Sequence, residues 1–171
     1  MADADTVIIR STTDPTDGTA ACLLTWGPIE ALLTPAKTLD TARDLMAAAA
    51  HAESDIAFLT MCREQLRLDE QTAGQMLLDI RSRRPAPPTP AALRIHAVAG
   101  YKTGRPYVHI ARGSMNASLD PDDARQMAVQ WTQAATAAQI DVRLRYALGE
   151  WDRFTPDEID RLFLTVQRLG R

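Results

Sequence analysis

"LLTPAKTLDTARDLMAAAAHAESD" fills residues 32–55 and "SLDPDDARQMAVQWTQAATAAQID" fills residues 118–141, and the second reads as a rewritten copy of the first. Displacing the chain by 86 residues aligns 7–84 with 93–170 without a gap. Fourteen positions are then identical, five of them alanine. The other nine pair Ile9 with Ile95, Gly18 with Gly104, Gly27 with Gly113, Leu33 with Leu119, Pro35 with Pro121, Asp55 with Asp141, Glu64 with Glu150, Arg67 with Arg153 and Leu78 with Leu164. Conservative pairs such as Leu24 with Ile110 and Met76 with Leu162 fill in between. The register holds through loops as well as helices, which is the mark of an internal repeat.

The join between the copies is "RRPAPPTPAA" at 83–92, whose prolines favour an extended, semi-rigid spacer. The expected organisation is a first repeat over 1–84, a Pro-rich linker over 85–91 and a second repeat over 92–171. Within each copy, "TVIIRSTT" or "ALRIHAVA", "TAACLLTW" or "RPYVHIAR", and "IEALL" or "MNASL" are short β-branched or apolar runs. Glycines at 18 and 27, and at 104 and 113, separate them and suit turns that need positive φ.

Pro35 and Pro121 begin helices, since proline is tolerated in a first turn where its missing donor has no partner anyway. Leu39, Ala42, Met46, Ala49, Glu53 and Ile56 then recur at near-helical spacing, as do Met127, Trp131, Ala134, Ala138 and Val142. These patterns predict helices running to about residues 66 and 150. A last helix starts at "DEQT" in one copy and "TPDEID" in the other, the latter with Thr155 as N-cap and Glu158 closing a capping box. The fold class expected is α+β: a tandem duplication of a β-β-β-α-α unit, the sheet of each unit covered on one face by its helices, packed as an intrachain pseudo-dimer.

With 171 residues and 46% hydrophobic content the chain has material for a sizeable core. A net charge of -3 gives no general attraction to nucleic acid or anionic membrane. No apolar run reaches the roughly 18 residues of a membrane span, and the first residues lack a signal-peptide pattern, so a cytoplasmic protein without a membrane partner is expected. Lysine occurs only at 37 and 102 while arginine and alanine abound, a usage that fits a high-GC bacterial or phage genome.

The copies also weigh the candidate sites. Cys22 and Cys62 align with Val108 and Leu148, so both thiols are expected in the core. His51, His96 and His109 align with Ala137, Arg10 and Leu23 and form no ligand spacing, so no metal and no cofactor are expected, and a histidine metal site shared by both copies is excluded. Asp55, Asp141, Glu64, Glu150, Arg67 and Arg153 are the charged residues identical in both copies and are the candidates for a groove between them. Glu64 and Arg67 are expected to pair at i, i+3 on a helix.

Trp26, beside a turn, and Trp151 are candidate partner anchors, although core packing suits each tryptophan as well. Residues 1–86 hold 13 acidic and 8 basic residues against 9 and 11 in 87–171. The hairpin segment at 101–112 carries Lys102, Arg105 and Arg112 with Tyr101 and Tyr107 interleaved, a composition suited to phosphates or unpaired bases. No nucleophile with a base and no phosphate-binding loop stands out, so the leading expectation is a non-enzymatic binding or regulatory module. It would recognise a protein partner through the sheet surface or the inter-repeat groove. The alternative is a nucleic-acid-associated regulator using the basic hairpin.

Overall fold

A computed structural model describes residues 6–85, 92–100, 103–149 and 154–169. The protein is α+β, with two three-stranded antiparallel sheets and four helices. The order is β1 (Val7–Thr13), β2 (Ala20–Trp26), β3 (Ile29–Leu33), α1 (Pro35–Glu64), α2 (Glu70–Ser82), β4 (Arg94–Gly100), β5 (Arg105–Arg112), β6 (Met115–Leu119), α3 (Pro121–Gly149) and α4 (Pro156–Leu169). Each sheet is a meander, β1-β2-β3 or β4-β5-β6.

The turns that close these meanders are set by their glycines. Trp26 pairs with Ile29 and Arg112 with Met115, leaving two-residue loops Gly27-Pro28 and Gly113-Ser114. Gly27 and Gly113 take φ 54 and 56. Proline fixes the second φ near -65°, which excludes a type I′ turn and leaves type II′, the hairpin turn that asks for glycine first. In the β1–β2 loop Gly18 has φ 71 and donates to the Asp14 carbonyl at 2.8 Å, while the Asp14 side chain accepts from the Thr16 amide at 2.9 Å.

Helix α1 opens with Thr34, whose hydroxyl accepts from the Lys37 amide at 3.2 Å, and with Pro35 in its first turn. It ends at Glu64. Arg67 then takes the left-handed φ of 52, and the Leu68 amide returns to the Cys62 carbonyl at 3.0 Å. Asp69 caps α2 by accepting from the Thr72 amide at 2.9 Å. At α4 the expected capping box forms: the Thr155 amide donates to Glu158 Oε2 at 2.8 Å, and the Glu158 amide donates back to Thr155 Oγ1 at 3.4 Å.

The helices do not cover the sheets the periodicity suggested. Helix α1 packs mainly against β4 and β5, and α3 packs mainly against β1 and β2, so each long helix lies over the sheet of the other half of the chain. The two long helices also pack along each other through small residues, Ala42, Ala48, Ala49 and Ala52 on one and Ala128, Ala134, Ala135 and Ala138 on the other, all buried. They run antiparallel: Arg125, early in α3, reaches Glu53, late in α1, with Nη1 2.9 Å from Oε1. Leu45 from α1 and Trp131 from α3 fill the layer between helices and sheets, and one cluster of buried residues draws on both halves of the chain. Trp131 is thus core, as expected, and so are Cys22 and Cys62.

Candidate binding groove

Helix α2 is short, and it lies against the end of α1 beside the edge strand β4. Its inward residues Ala73 and Leu77 are buried. One side of this junction leaves a groove of about 460 Å³, floored by Leu59, Ala73, Leu77 and Ala99 and rimmed by Leu78, Arg63 and Arg81. Leu78 is 58% exposed, so the rim offers an apolar side chain to solvent. Ala99 belongs to β4, so the groove is built from both halves of the chain.

Behind the groove stands a buried ion cluster. Asp55, on α1, is 1% exposed. Arg81 brings Nε to 2.9 Å and Nη2 to 2.7 Å of its Oδ2, and Arg84 donates to Oδ1. This clamp fixes the end of α2 to α1. His51, one turn before Asp55, is held below the ordinary imidazole range by burial and by the Arg84 charge, with Asp55 acting in the opposite sense. In sequence, Arg81 and Arg84 read only as a basic helix end. The signal for their true role is Asp55 itself, since a carboxylate on an apolar helix face needs a partner.

The four described candidates for the inter-repeat groove, Asp55, Asp141, Glu64 and Arg67, do not converge. Asp55 lies under the clamp, while Asp141 is half-buried on α3; antiparallel packing carries the two toward opposite ends of the helix pair. Glu64 and Arg67 are both exposed. Their expected helical pair is corrected, because α1 ends at Glu64 and Arg67 sits in the left-handed connection. Glu150 and Arg153 lie outside the described residues.

Burial holds the Asp141 carboxyl above the ordinary carboxylate value, and Arg145 offsets this only in part. The folded protein therefore binds this proton more readily than the unfolded chain, and the charged form costs stability at neutral pH. That cost fades as pH falls through the raised value toward 3.8. Asp141→Asn should accordingly raise the urea midpoint at pH 7, and the gain should shrink at pH 4. An equal gain at both pH values would contradict the burial argument.

The partner-anchor candidates divide as well. Trp26 is corrected from a partner anchor to a core residue. It shares the inward parity of Cys22 and Leu24 on β2, is fully buried, and its indole N–H finds no acceptor among the described residues. Arg105 and Arg112 are seven residues apart on one strand, so the pleat sends them to opposite faces. Arg105 is exposed, whereas Arg112 turns inward and donates to the Ala92 carbonyl, which removes it from any hairpin surface. Trp151, Tyr101 and Lys102 lie outside the described residues.

Among the described residues no group of three or more histidine, cysteine, aspartate or glutamate side chains is placed to hold a metal ion, and no helix is long and apolar enough to cross a membrane. No family model, curated protein or solved structure matches this chain.

Proposed function

We propose that the chain is a tandem duplication whose two β-β-β-α-α copies pack as an intrachain pseudo-dimer, and that it acts in the cytoplasm as a non-enzymatic binding module for a protein partner. Several correspondences at the same 86-residue displacement support the duplication. Gly18 and Gly104 share positive φ, as do Gly27 and Gly113. Cys22 and Val108, Leu24 and Ile110, Ala49 and Ala135, Ala73 and Ile159, and Leu77 and Phe163 are buried in both members of each pair. The exchange of covering helices is the arrangement of an intertwined homodimer made continuous by the linker.

The observation that carries the partner reading is the apolar groove between the end of α1, α2 and Ala99. Its volume falls in the range of specific binding pockets, and a concave apolar surface with an exposed leucine at the rim suits an apolar segment of another protein. Two of its four charged lining residues are committed elsewhere: Asp69 caps α2 and Arg81 clamps Asp55. The exposed rim residue Leu78 is matched by Leu164 on α4, also exposed, as expected if both short helices kept an apolar docking surface.

The test uses the full chain and Leu78→Asp as paired baits in affinity capture from the native host. The expected result is a protein recovered stoichiometrically by the wild type and absent with the variant, whose circular dichroism is unchanged because Leu78 points to solvent. Equal recovery by both baits would remove the groove from the reading.

A second reading rests on a different observation. Strands β4, β5 and β6 contain no aspartate or glutamate, and their outward face carries Arg94, His96, Arg105, Tyr107 and His109. A cationic sheet with an aromatic ring is a surface on which single-stranded nucleic acid stacks and neutralises its phosphates. Under this reading, fluorescence anisotropy detects binding of a single-stranded oligonucleotide, and Arg94→Ala with Arg105→Ala lowers the log–log salt slope by about 0.7 for each phosphate no longer neutralised. No binding at physiological salt excludes it.

A further inference from the structure

The register of the second sheet makes a pairing that residue spacing alone hides. His96 in β4 is paired directly opposite His109 in β5. Their neighbours Ala97 and Val108 are paired, as are Ile95 and Ile110, with Val108 and Ile110 fully buried against the helices. Strand alternation therefore sends His96 and His109 together to the outward face. Directly opposed residues have Cβ atoms about 4.5–5.5 Å apart. A metal ion bound by two imidazole nitrogens at about 2.0–2.1 Å in adjacent positions asks for nitrogens about 3 Å apart, which two such side chains reach by rotating their rings.

Three features of the setting favour a ligand role over a packing role. His96 is exposed and His109 half-buried, so neither ring is enclosed. Among the described residues, neither ring takes part in a hydrogen bond or an ion pair within the chain. The strands around them lack carboxylates, and the residue opposite His109 on its other side is the small Ser118, which leaves room for water. A neutral pair of nitrogen donors discriminates against calcium and magnesium, which take oxygen ligands, and follows the divalent order in which copper binds most tightly.

We propose that His96 and His109 form a two-imidazole site for a late first-row divalent ion, copper(II) ahead of nickel(II) and zinc(II), with water completing the coordination. The site is single in the chain, because the aligned positions in the first sheet are Arg10 and Leu23. It is independent of the partner groove, which lies on the helix side of β4.

Copper(II) titration of the full chain tests this, followed by calorimetry and by electron paramagnetic resonance. The expected result is one tight equivalent per chain with hyperfine structure from two nitrogens. His96→Ala or His109→Ala should each weaken that equivalent by about 100-fold or more, since the second imidazole acts at high effective concentration once the first is bound. His51→Ala should leave it unchanged, and zinc(II) should compete where magnesium(II) does not. In the unmodified protein, substoichiometric copper should broaden the NMR signals of His96 and His109 before those of His51, a readout that needs no variant. Equal broadening of all three histidines, absence of a stoichiometric site, or binding that survives both substitutions would overturn the proposal.

Discussion

Replacing Arg81 and Arg84 together by alanine should destabilise the protein by about 3–5 kcal/mol, the usual cost of leaving a buried charge without its partners. Asp55 is 1% exposed and has both arginines as its only described cations, so the double variant strands a carboxylate inside the fold. The reverse change should cost less. Arg81 and Arg84 are 32% and 20% exposed, so in Asp55→Ala their guanidinium groups can turn toward water. Chemical denaturation measures both differences, and hydrogen exchange should show α2 losing protection first, because the clamp joins it to α1. Adding Asp55→Leu to the double variant should restore most of the stability, since apolar replacement of a buried ion pair is often neutral. A double variant within about 1 kcal/mol of wild type would show that water reaches Asp55.

The other large effect is expected at Trp131. Trp131→Ala should cost about 3–5 kcal/mol, the range for deleting a buried aromatic side chain and leaving a cavity. The ring is fully buried where α3 meets both α1 and the first sheet, so the surrounding helices and strands have little freedom to collapse into the space. Trp131→Phe should be much milder than the loss of an indole normally is. The Trp131 N–H finds no acceptor among the described residues, so the substitution breaks no hydrogen bond there. Because one cluster of buried residues spans both halves, Trp131→Ala should lower a single unfolding transition seen equally by near-ultraviolet and far-ultraviolet circular dichroism. Two separated transitions would contradict a shared core.

Much of the local structure was legible because its causes are local. Glycines 18, 27, 104 and 113 mark turns whose φ no other residue supplies cheaply, and Thr34-Pro35 and Thr155-Pro156 mark helix starts through capping. Strand parity also carries the inward side, sending Trp26 inward with Cys22 and Leu24 and dividing Arg105 from Arg112, and the expectations of a Trp26 anchor and of one basic hairpin surface overlooked it. What sequence periodicity cannot carry is the identity of the surface opposite. The alanine stripes of α1 and α3 report that one face is buried, and small side chains fit a near sheet and a far one alike. The partners of Asp55 were hidden for a related reason, since Arg81 and Arg84 lie 26 and 29 residues away, in the last turn of α2 and just beyond its end. The His96–His109 pair follows from the register between Gly100 and Arg105, which is fixed only when the ends of the loop between them are fixed.

The crossing of the long helices sets a schedule for synthesis. As the chain leaves the ribosome, β1, β2 and β3 emerge first, followed at once by a helix that belongs mainly on strands not yet made. The first sheet waits for α3, which begins at Pro121, before its apolar face is covered. Folding of the first sheet is thereby deferred until α3 is available, with non-local pairings that slow it. During that interval the nascent chain exposes the strand-rich surface that is most prone to pair with another copy, so the vulnerable state of this protein lies in its own biogenesis.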